Sequence, residues 1–451
     1  MPTQFDPPSG TRDFLAPELE VRDEAFRIIK DVFASYGFEP LQTPAFERLD
    51  VLMGKYGDEG DKLIFKILRR GEHEASGEAD LALRYDMTVP LARVAAAYGS
   101  QLPTPYKRYT IGPVWRADRP GKGRFREFAQ CDLDTLGSDS PLADAEVLCA
   151  GHDALSRLGL AEFTVLLNSR QALRGLLRAF GVPEEIGTGV LITLDKLDKL
   201  RPAEVITELA NRGLAQAKAE ALVETLTAAD ATEQVRTALK STDEGVAGLD
   251  EIDTLLALTH GQVPDGRIVF TPRMVRGLSY YTGGIWEVTA PGMPGSISSG
   301  GRYDHLIEAL GGPDVPGTGF SLGVERVLGL LAGPGDRHRR LDVAVTVMGD
   351  DLATASFGFA AAARSVGARA SVYMGSSGKL GRQLKWASDA GARFCLIYGR
   401  SEQAEDNVTV RDMTSGEQTT VPAAGLAPAL AELLAAGRPD PVGATLASGP
   451  A

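Results

Sequence analysis

Apolar side chains recur along this chain with two periods, and each change of period marks a change of element. Val21, Ala25, Ile28, Ile29, Val32 and Phe33 form one stripe at helical spacing, behind Pro17 and Glu18, which suit a first turn. The stripe predicts a helix to about Tyr36, with Gly37 where a left-handed cap belongs. Residues 38–46 then read as extended, with Pro44 tolerable only on an edge or at a bulge. Segments 64–68 and 81–85 read as a hairpin, and Asp86-Met87-Thr88-Val89-Pro90 opens the helix that follows. Helical patterns return over 142–158 and 170–180. From about 181 to 262 the composition shifts to Ala, Leu, Glu, Lys and Asp, which predicts a helical insertion with helices at 194–200, 203–212 and 215–226.

Beyond it, strands are predicted at 267–270, 285–289 and 317–323, a turn of small residues at 296–301, and helices at 305–310 and 324–331. Gly333-Pro334-Gly335 opens a linker. Strand-like runs at 341–347, 370–373, 394–398 and 407–411 then alternate with helices at 352–366 and 379–390. The fold class is therefore α+β: a domain over 1–335 built on an antiparallel sheet and carrying the insertion, then an α/β domain over 341–435. Residues 436–451, rich in Gly, Ala and Pro, read as a disordered tail.

The stretch 106–134 holds the densest chemistry. It reads as two antiparallel strands joined by a cationic loop that Pro120, Gly121 and Gly123 punctuate. Alternation puts Arg124, Arg126, Phe128, Gln130, Asp132 and Asp134 on one face, and Phe125, Glu127, Ala129, Cys131 and Leu133 on the other. The polar face could be the floor of a ligand site. Arg116 and Arg124 could clamp an anion, Phe128 could take a flat ring, and Gln130 with Asp134 could meet a cationic or hydrogen-bonding group. A solvated hairpin laced with salt bridges fits the same pattern. Asp86 is either a helix cap or a carboxylate for an ammonium group. Arg326, in a first helical turn, meets either an anion or a surface carboxylate. Lys379, Arg382, Lys385 and Trp386 share an arc that suits either RNA or water.

Charge and composition narrow the field. Lys and Arg number 47 against 60 Asp and Glu among 451 residues, a net charge of −13, so any nucleic-acid contact must be local. The cysteines Cys131, Cys149 and Cys395 are too dispersed for a disulfide framework or zinc knuckle, and the histidines form no HExxH pair. The N-terminus lacks an apolar core of signal-peptide type and no long apolar run follows, which predicts a soluble cytoplasmic protein.

Taken in order, these segments resemble the class II aminoacyl-tRNA synthetases, and within them the histidyl-tRNA synthetase family. Residues 38–47 with Pro44 look like motif 1, the dimer element; 116–134 like motif 2; 317–327 with Arg326 like motif 3. RGLSYY at 276–281 and SGGRYD at 299–304 look like the histidine-specific signatures. The resemblance implies a synthetase catalytic domain, an anticodon-binding C-terminal domain, a homodimer, and ATP, Mg²⁺, L-histidine and tRNA-His as cofactors and partners. It implies that Asp86, Thr88 and Gln130 hold the amino side of histidine, that Asp134 and Tyr281 hold the imidazole, and that Met87 and Tyr280 also belong to the histidine site. Arg116 and Arg276 become the catalytic cations on the carboxylate and α-phosphate, while Asp118, Arg124, Phe128 and Arg326 bind ATP with Arg116. No metal-ligand set is implied.

Three residues depart from the family's pattern. Ser279 stands where an acidic residue is usual, Asp118 and Asp134 stand where bacterial members carry glutamates, and Gly121 stands where many carry a glutamine that meets the tRNA end. Two alternatives accompany the resemblance: a histidine-binding regulatory paralogue that partners ATP phosphoribosyltransferase, and a specialised inhibitor-resistant second synthetase.

Overall fold

Strands with one apolar face need a cover, and in this chain the longest ones are covered on one side by helices and left with a polar trough on the other. The computed structural model describes residues 5–53, 62–71, 76–121, 123–275, 280–331 and 341–436. They fall into two compact units, the first ending at Leu331 and the second containing 341–436.

The first unit is organised on an eight-stranded sheet: β1 Glu39–Pro40, β2 Tyr106–Trp115, β3 Glu127–Leu136, β4 Thr164–Ser169, β5 Ile268–Phe270, β6 Gly284–Thr289, β7 Ser298–Arg302 and β8 Gly317–Gly323. Their spatial order is β1-β2-β3-β8-β7-β6-β4-β5. Only the two outer pairs are parallel, so the sheet is antiparallel at its centre. The β2–β3 hairpin is in register from Tyr106 opposite Leu136 to Trp115 opposite Glu127. On β3, Ala129, Cys131 and Leu133 are fully buried, as one face of an alternating strand should be. Helices Pro141–Arg157 and Asp243–Thr259 pack over the sheet on the covered side.

The N-terminal helix spans Ala16–Ser35, buries the predicted stripe, and is followed by Gly37 at a φ of 80°. The extended stretch 38–46 does not form one strand. Glu39–Pro40 is the edge of the main sheet, whereas Phe46–Arg48 joins Lys66–Leu68 and Ala79–Leu83 in a separate three-stranded sheet. Pro44 lies between the two and donates no ladder hydrogen bond there.

Three other expectations are corrected. The small-residue segment 296–301 is no mere turn: Ser298–Arg302 is an inner strand, paired on both edges, because its neighbours approach too closely for larger side chains. The helix expected at 305–310 reduces to a single 3-10 turn at Glu308–Leu310. Within the insertion, helices Pro202–Asn211 and Gln216–Thr227 lie where helical spacing puts them, but 194–200 is the end of helix Glu184–Leu194 and a 3-10 turn. Helices Ala231–Leu239 and Asp243–Thr259 complete it.

The second unit has a five-stranded sheet in the order Ala370–Val372, Val343–Val345, Phe394–Ile397, Asn407–Asp412, Gln418–Pro422. The first three are parallel and the last two antiparallel. Gln418–Pro422, largely exposed at the edge, and helix Leu426–Ala435 have no counterpart in the sequence-based expectation. The tail beyond 436 lies outside the described residues. No described helix is long and apolar enough to cross a membrane.

Candidate active site

The uncovered face of β3 and β8 carries a cleft of about 220 Å³. Arg116, Asp118, Arg124, Phe128 and Arg326 all line it, although they come from sequence positions up to two hundred residues apart. Gln130, Glu325 and the serines Ser296, Ser298, Ser299 and Ser321 complete the lining.

At the open end the cations are held by backbone oxygens. Arg116 Nε donates to the Tyr85 carbonyl at 2.9 Å, and its guanidinium carbon lies 5.1 Å from the Phe128 ring centroid. Arg326 Nε donates to the Gly123 carbonyl at 2.9 Å and Nη1 to the Ser296 carbonyl. Burial first, then the nearby charges of Arg124 and Arg116, push the Arg326 guanidinium below its ordinary pKa. Mutual repulsion of this kind is relieved by an anion. Arg124 differs: it is exposed and pairs with Asp118 at 2.7 Å. β3 begins only at Glu127, so the predicted alternation does not reach Arg124 and Arg126. Arg126 is drawn off to the carbonyls of Asp118 and Ser9, and Phe125 lines the cleft instead of the core.

Past Gln130, the same strand face continues from the cleft lining into a buried, acidic inner end. Asp134 is 2% exposed, accepts a hydrogen bond from the Tyr303 hydroxyl, and lies 2.8 Å from Nη2 of Arg108, which is itself 0% exposed. The same Nη2 donates to the Met87 carbonyl at 3.0 Å. Burial raises the Asp134 carboxyl despite Arg108 and pushes the Tyr303 hydroxyl far up. Asp132, also buried, is pushed up to about 7 by desolvation and then by Asp134. Gln130 Nε2 donates to Ser321 Oγ at 2.6 Å, while its Oε1 is buried without a hydrogen-bond partner. Asp86 is buried and accepts the Val89 N–H at 3.3 Å in the first turn of helix Thr88–Tyr98, one residue ahead of the N-cap position, which is Met87. Met87 is buried and Thr88 half-buried at that helix start. Tyr280 and Tyr281 pack at a tilt of 58° with ring centroids 4.7 Å apart, and Tyr280 meets Tyr303 edge-on at 5.9 Å. Burial raises the Tyr281 hydroxyl, with Asp134, Asp132 and Asp86 adding to the rise. Arg276 and Ser279 lie outside the described residues.

Glycine makes the inner end possible. A Cβ on Gly319 would lie 2.0 Å from Asp134 Oδ1, and one on Gly301 2.8 Å from the Tyr281 ring. Any side chain at either position would occupy the space these two groups need.

Four participants were not singled out from sequence. Arg108 and Tyr303 fix Asp134; Asp132 shares its floor; Glu325 takes the Ala129 N–H at 3.0 and 3.1 Å and pairs with Arg22 at 2.5 Å. The alternation of β2, which sets Arg108 opposite Asp134, was the available signal. Arg302, inside the SGGRYD run, serves the frame: it reaches Asp144 at 2.6 and 3.0 Å, Asp304 at 3.1 Å and the carbonyls of Ser138 and Ser140.

Comparison with known proteins follows the same outline. A family model described as histidyl-tRNA synthetase matches residues 10–327, and one described as an anticodon binding domain matches 342–433. The histidine–tRNA ligase of Gloeobacter violaceus is 38% identical over 447 residues, covering 92% of this chain and 96% of its own length. That of Ruegeria pomeroyi is 37% identical and covers 91% and 90%. The crystal structure of histidyl-tRNA synthetase from Nostoc sp. PCC 7120 superposes with a TM-score of 0.77 at 30% identity, over 96% of this chain and all of that one. A Bacillus halodurans structure described as an ATP phosphoribosyltransferase regulatory subunit/histidyl-tRNA synthetase gives 0.74 at 22% identity, over 88% of this chain and all of its own, a likeness of fold alone.

Proposed function

Because the chain belongs to the histidyl-tRNA synthetase family, we propose a division of labour within its cleft for the ligation of histidine to tRNA. The reaction has two steps. A carboxylate oxygen of L-histidine attacks the α-phosphorus of ATP, forming histidyl-adenylate as the bond to pyrophosphate breaks. A ribose hydroxyl at the 3′ end of tRNA-His then attacks the acyl carbon, and AMP leaves. Both steps depend on positioning and on cations aimed at developing negative charge.

Arg116 holds the histidine carboxylate and the α-phosphate together, and Arg276 completes that clamp. Phe128 lies under the adenine, Arg326 grips the outer phosphates, and Arg124 with Asp118 borders the nucleotide. Asp86, Thr88 and Gln130 take the ammonium group; Asp134 and Tyr281 take the imidazole, with Met87 and Tyr280 as their packing. Magnesium arrives as part of the ATP substrate. The cleft carboxylates Asp118 and Glu325 are already paired with Arg124 and Arg22, so they do not amount to a dedicated resident metal set. The enzyme works as a cytoplasmic homodimer through the edge formed by residues 38–47, and the second unit meets the anticodon. There Trp386 is tied edge-on to Tyr373 at 5.5 Å, and Lys385 pairs with Asp389 at 3.0 Å, which leaves Lys379 and Arg382 as the basic surface.

The observation that carries this reading is that Arg116 and Arg326 converge on one cleft and, among the described residues, donate their hydrogen bonds to carbonyl oxygens. Histidine-dependent ATP–pyrophosphate exchange is the test. Exchange with histidine and no other amino acid is expected; histidine binding without exchange would favour a regulatory protein.

A further inference from the structure

Asp132 has no assigned part in the reading above, yet it is the most awkwardly placed acid in the molecule. It is 2% exposed and lies in a row across the sheet with Thr110 on β2 and Ser321 on β8. Neither neighbour carries a charge to offset it. Thr110 Oγ1 is committed to the Leu41 carbonyl at 2.8 Å, and Ser321, whose hydroxyl helps lower the Asp132 carboxyl, accepts the Gln130 amide. Asp132 Oδ1 is buried with no hydrogen-bond partner, as is Oε1 of Gln130, two residues along the same face and lining the cleft.

Among the described residues, the groups around it carry charges of both signs. Asp134 lies on its own strand, Arg108 on β2, and Asp86 and Arg84 on the segment before helix Thr88–Tyr98. Tyr281 and Tyr303 add neutral hydroxyls from one side, Glu287 sits at the far end of the row on β6, and β7 and β8 contribute serine and glycine. Arg84 is held by the carbonyls of Pro113 at 3.0 Å and Thr43 at 2.8 Å, and Arg108 by Asp134. A buried carboxyl with an oxygen that no donor meets either keeps a proton or waits for a cation.

We propose that Asp132 is a specificity-determining residue of the amino-acid subsite, supplying, beside Asp86, the counter-charge for the ammonium group of the substrate. The inference rests on the reading that histidine occupies the inner end of the cleft. In the empty site Asp132 holds a proton; when the ammonium group arrives, the carboxyl O–H bond breaks, the proton passes to solvent, and the carboxylate accepts an N–H. A substrate of the same shape without that cation gains nothing from Asp132.

The test uses the full chain and its exchange reaction, with two competitive inhibitors: histidinol, which keeps the ammonium and imidazole, and imidazolepropionate, which keeps the carboxylate and imidazole. In Asp132→Asn the KM for histidine should rise 10- to 100-fold with kcat within threefold, histidinol should weaken at least tenfold, and imidazolepropionate should stay within twofold. Asp132→Ser, which removes the carboxylate and leaves space, should do the same and serves if the asparagine variant does not fold. Histidine-minus-apo infrared spectra of the unaltered protein at about pH 6.5 should lose a protonated-carboxyl band. Equal loss of both inhibitors, no change in histidine KM, or no loss of the band would overturn the assignment of Asp132 alone. Absence of histidine-dependent exchange in the unaltered protein would instead remove the histidine reading and this inference with it.

Discussion

The two ends of the cleft solve opposite problems with the same sheet. At the outer end the cations Arg116 and Arg326 lean on carbonyl oxygens, which suits the polyphosphate of the proposed substrate. At the inner end Arg108 is buried and already paired with Asp134. The first end works by gathering cations near water, where assembling them costs little. The second works by burying a nearly balanced network, where a single missing or added charge is expensive. Under the proposed function, the inner network sets selectivity for the amino acid and the outer end stabilises charge in catalysis.

That contrast can be broken from either side. The largest effect should come from the frame behind the inner end: Arg302→Leu leaves the Asp144 carboxylate buried and unpaired, and denaturant titration should show a loss of about 3–5 kcal/mol. Next, Arg276→Ala should lower histidine-dependent exchange by roughly 100- to 1000-fold with a smaller change in histidine affinity; an unchanged rate would show that the outer charge clamp does not include it.

A third effect depends on pH. Burial raises the Asp132 carboxyl from 3.8 to about 7 in the folded chain. Its proton favours the folded state fully below about pH 4, and that contribution is lost as pH climbs through about 7. Asp132→Asn should flatten this decline, so that above pH 7 the unliganded variant melts at a temperature no lower than the unaltered protein. A steeper decline in the variant would contradict the raised Asp132 carboxyl. The smallest effect belongs to the outer end: Arg124→Ala breaks a pair whose arginine is largely exposed and should change folding stability by less than about 1 kcal/mol. A loss comparable to that of Arg302→Leu would erase the distinction between the two ends.

The β2–β3 hairpin, the glycine-spaced strand ending in Arg326 and the helical insertion were legible in sequence because each is a local pattern: alternation, a helical stripe, turn residues at fixed offsets. So was the polar face of Gln130, Asp132 and Asp134, which follows from the two-residue period of a strand wherever its partners lie. Alternation failed at Arg124 and Arg126 because it holds only inside the strand, and the strand's first residue is set by pairing. The stretch 296–301 read as a turn because small residues have no strand preference of their own; the neighbours on both sides make it a strand. Which arginine faces which carboxylate is a matter of register between distant segments, and no period within one segment encodes it. Local patterns settle which side chains are available on each face. That Arg108 and Tyr303 close on Asp134 while Asp132 Oδ1 is buried without a hydrogen-bond partner follows from the fold, because burial and pairing are properties of the assembled sheet.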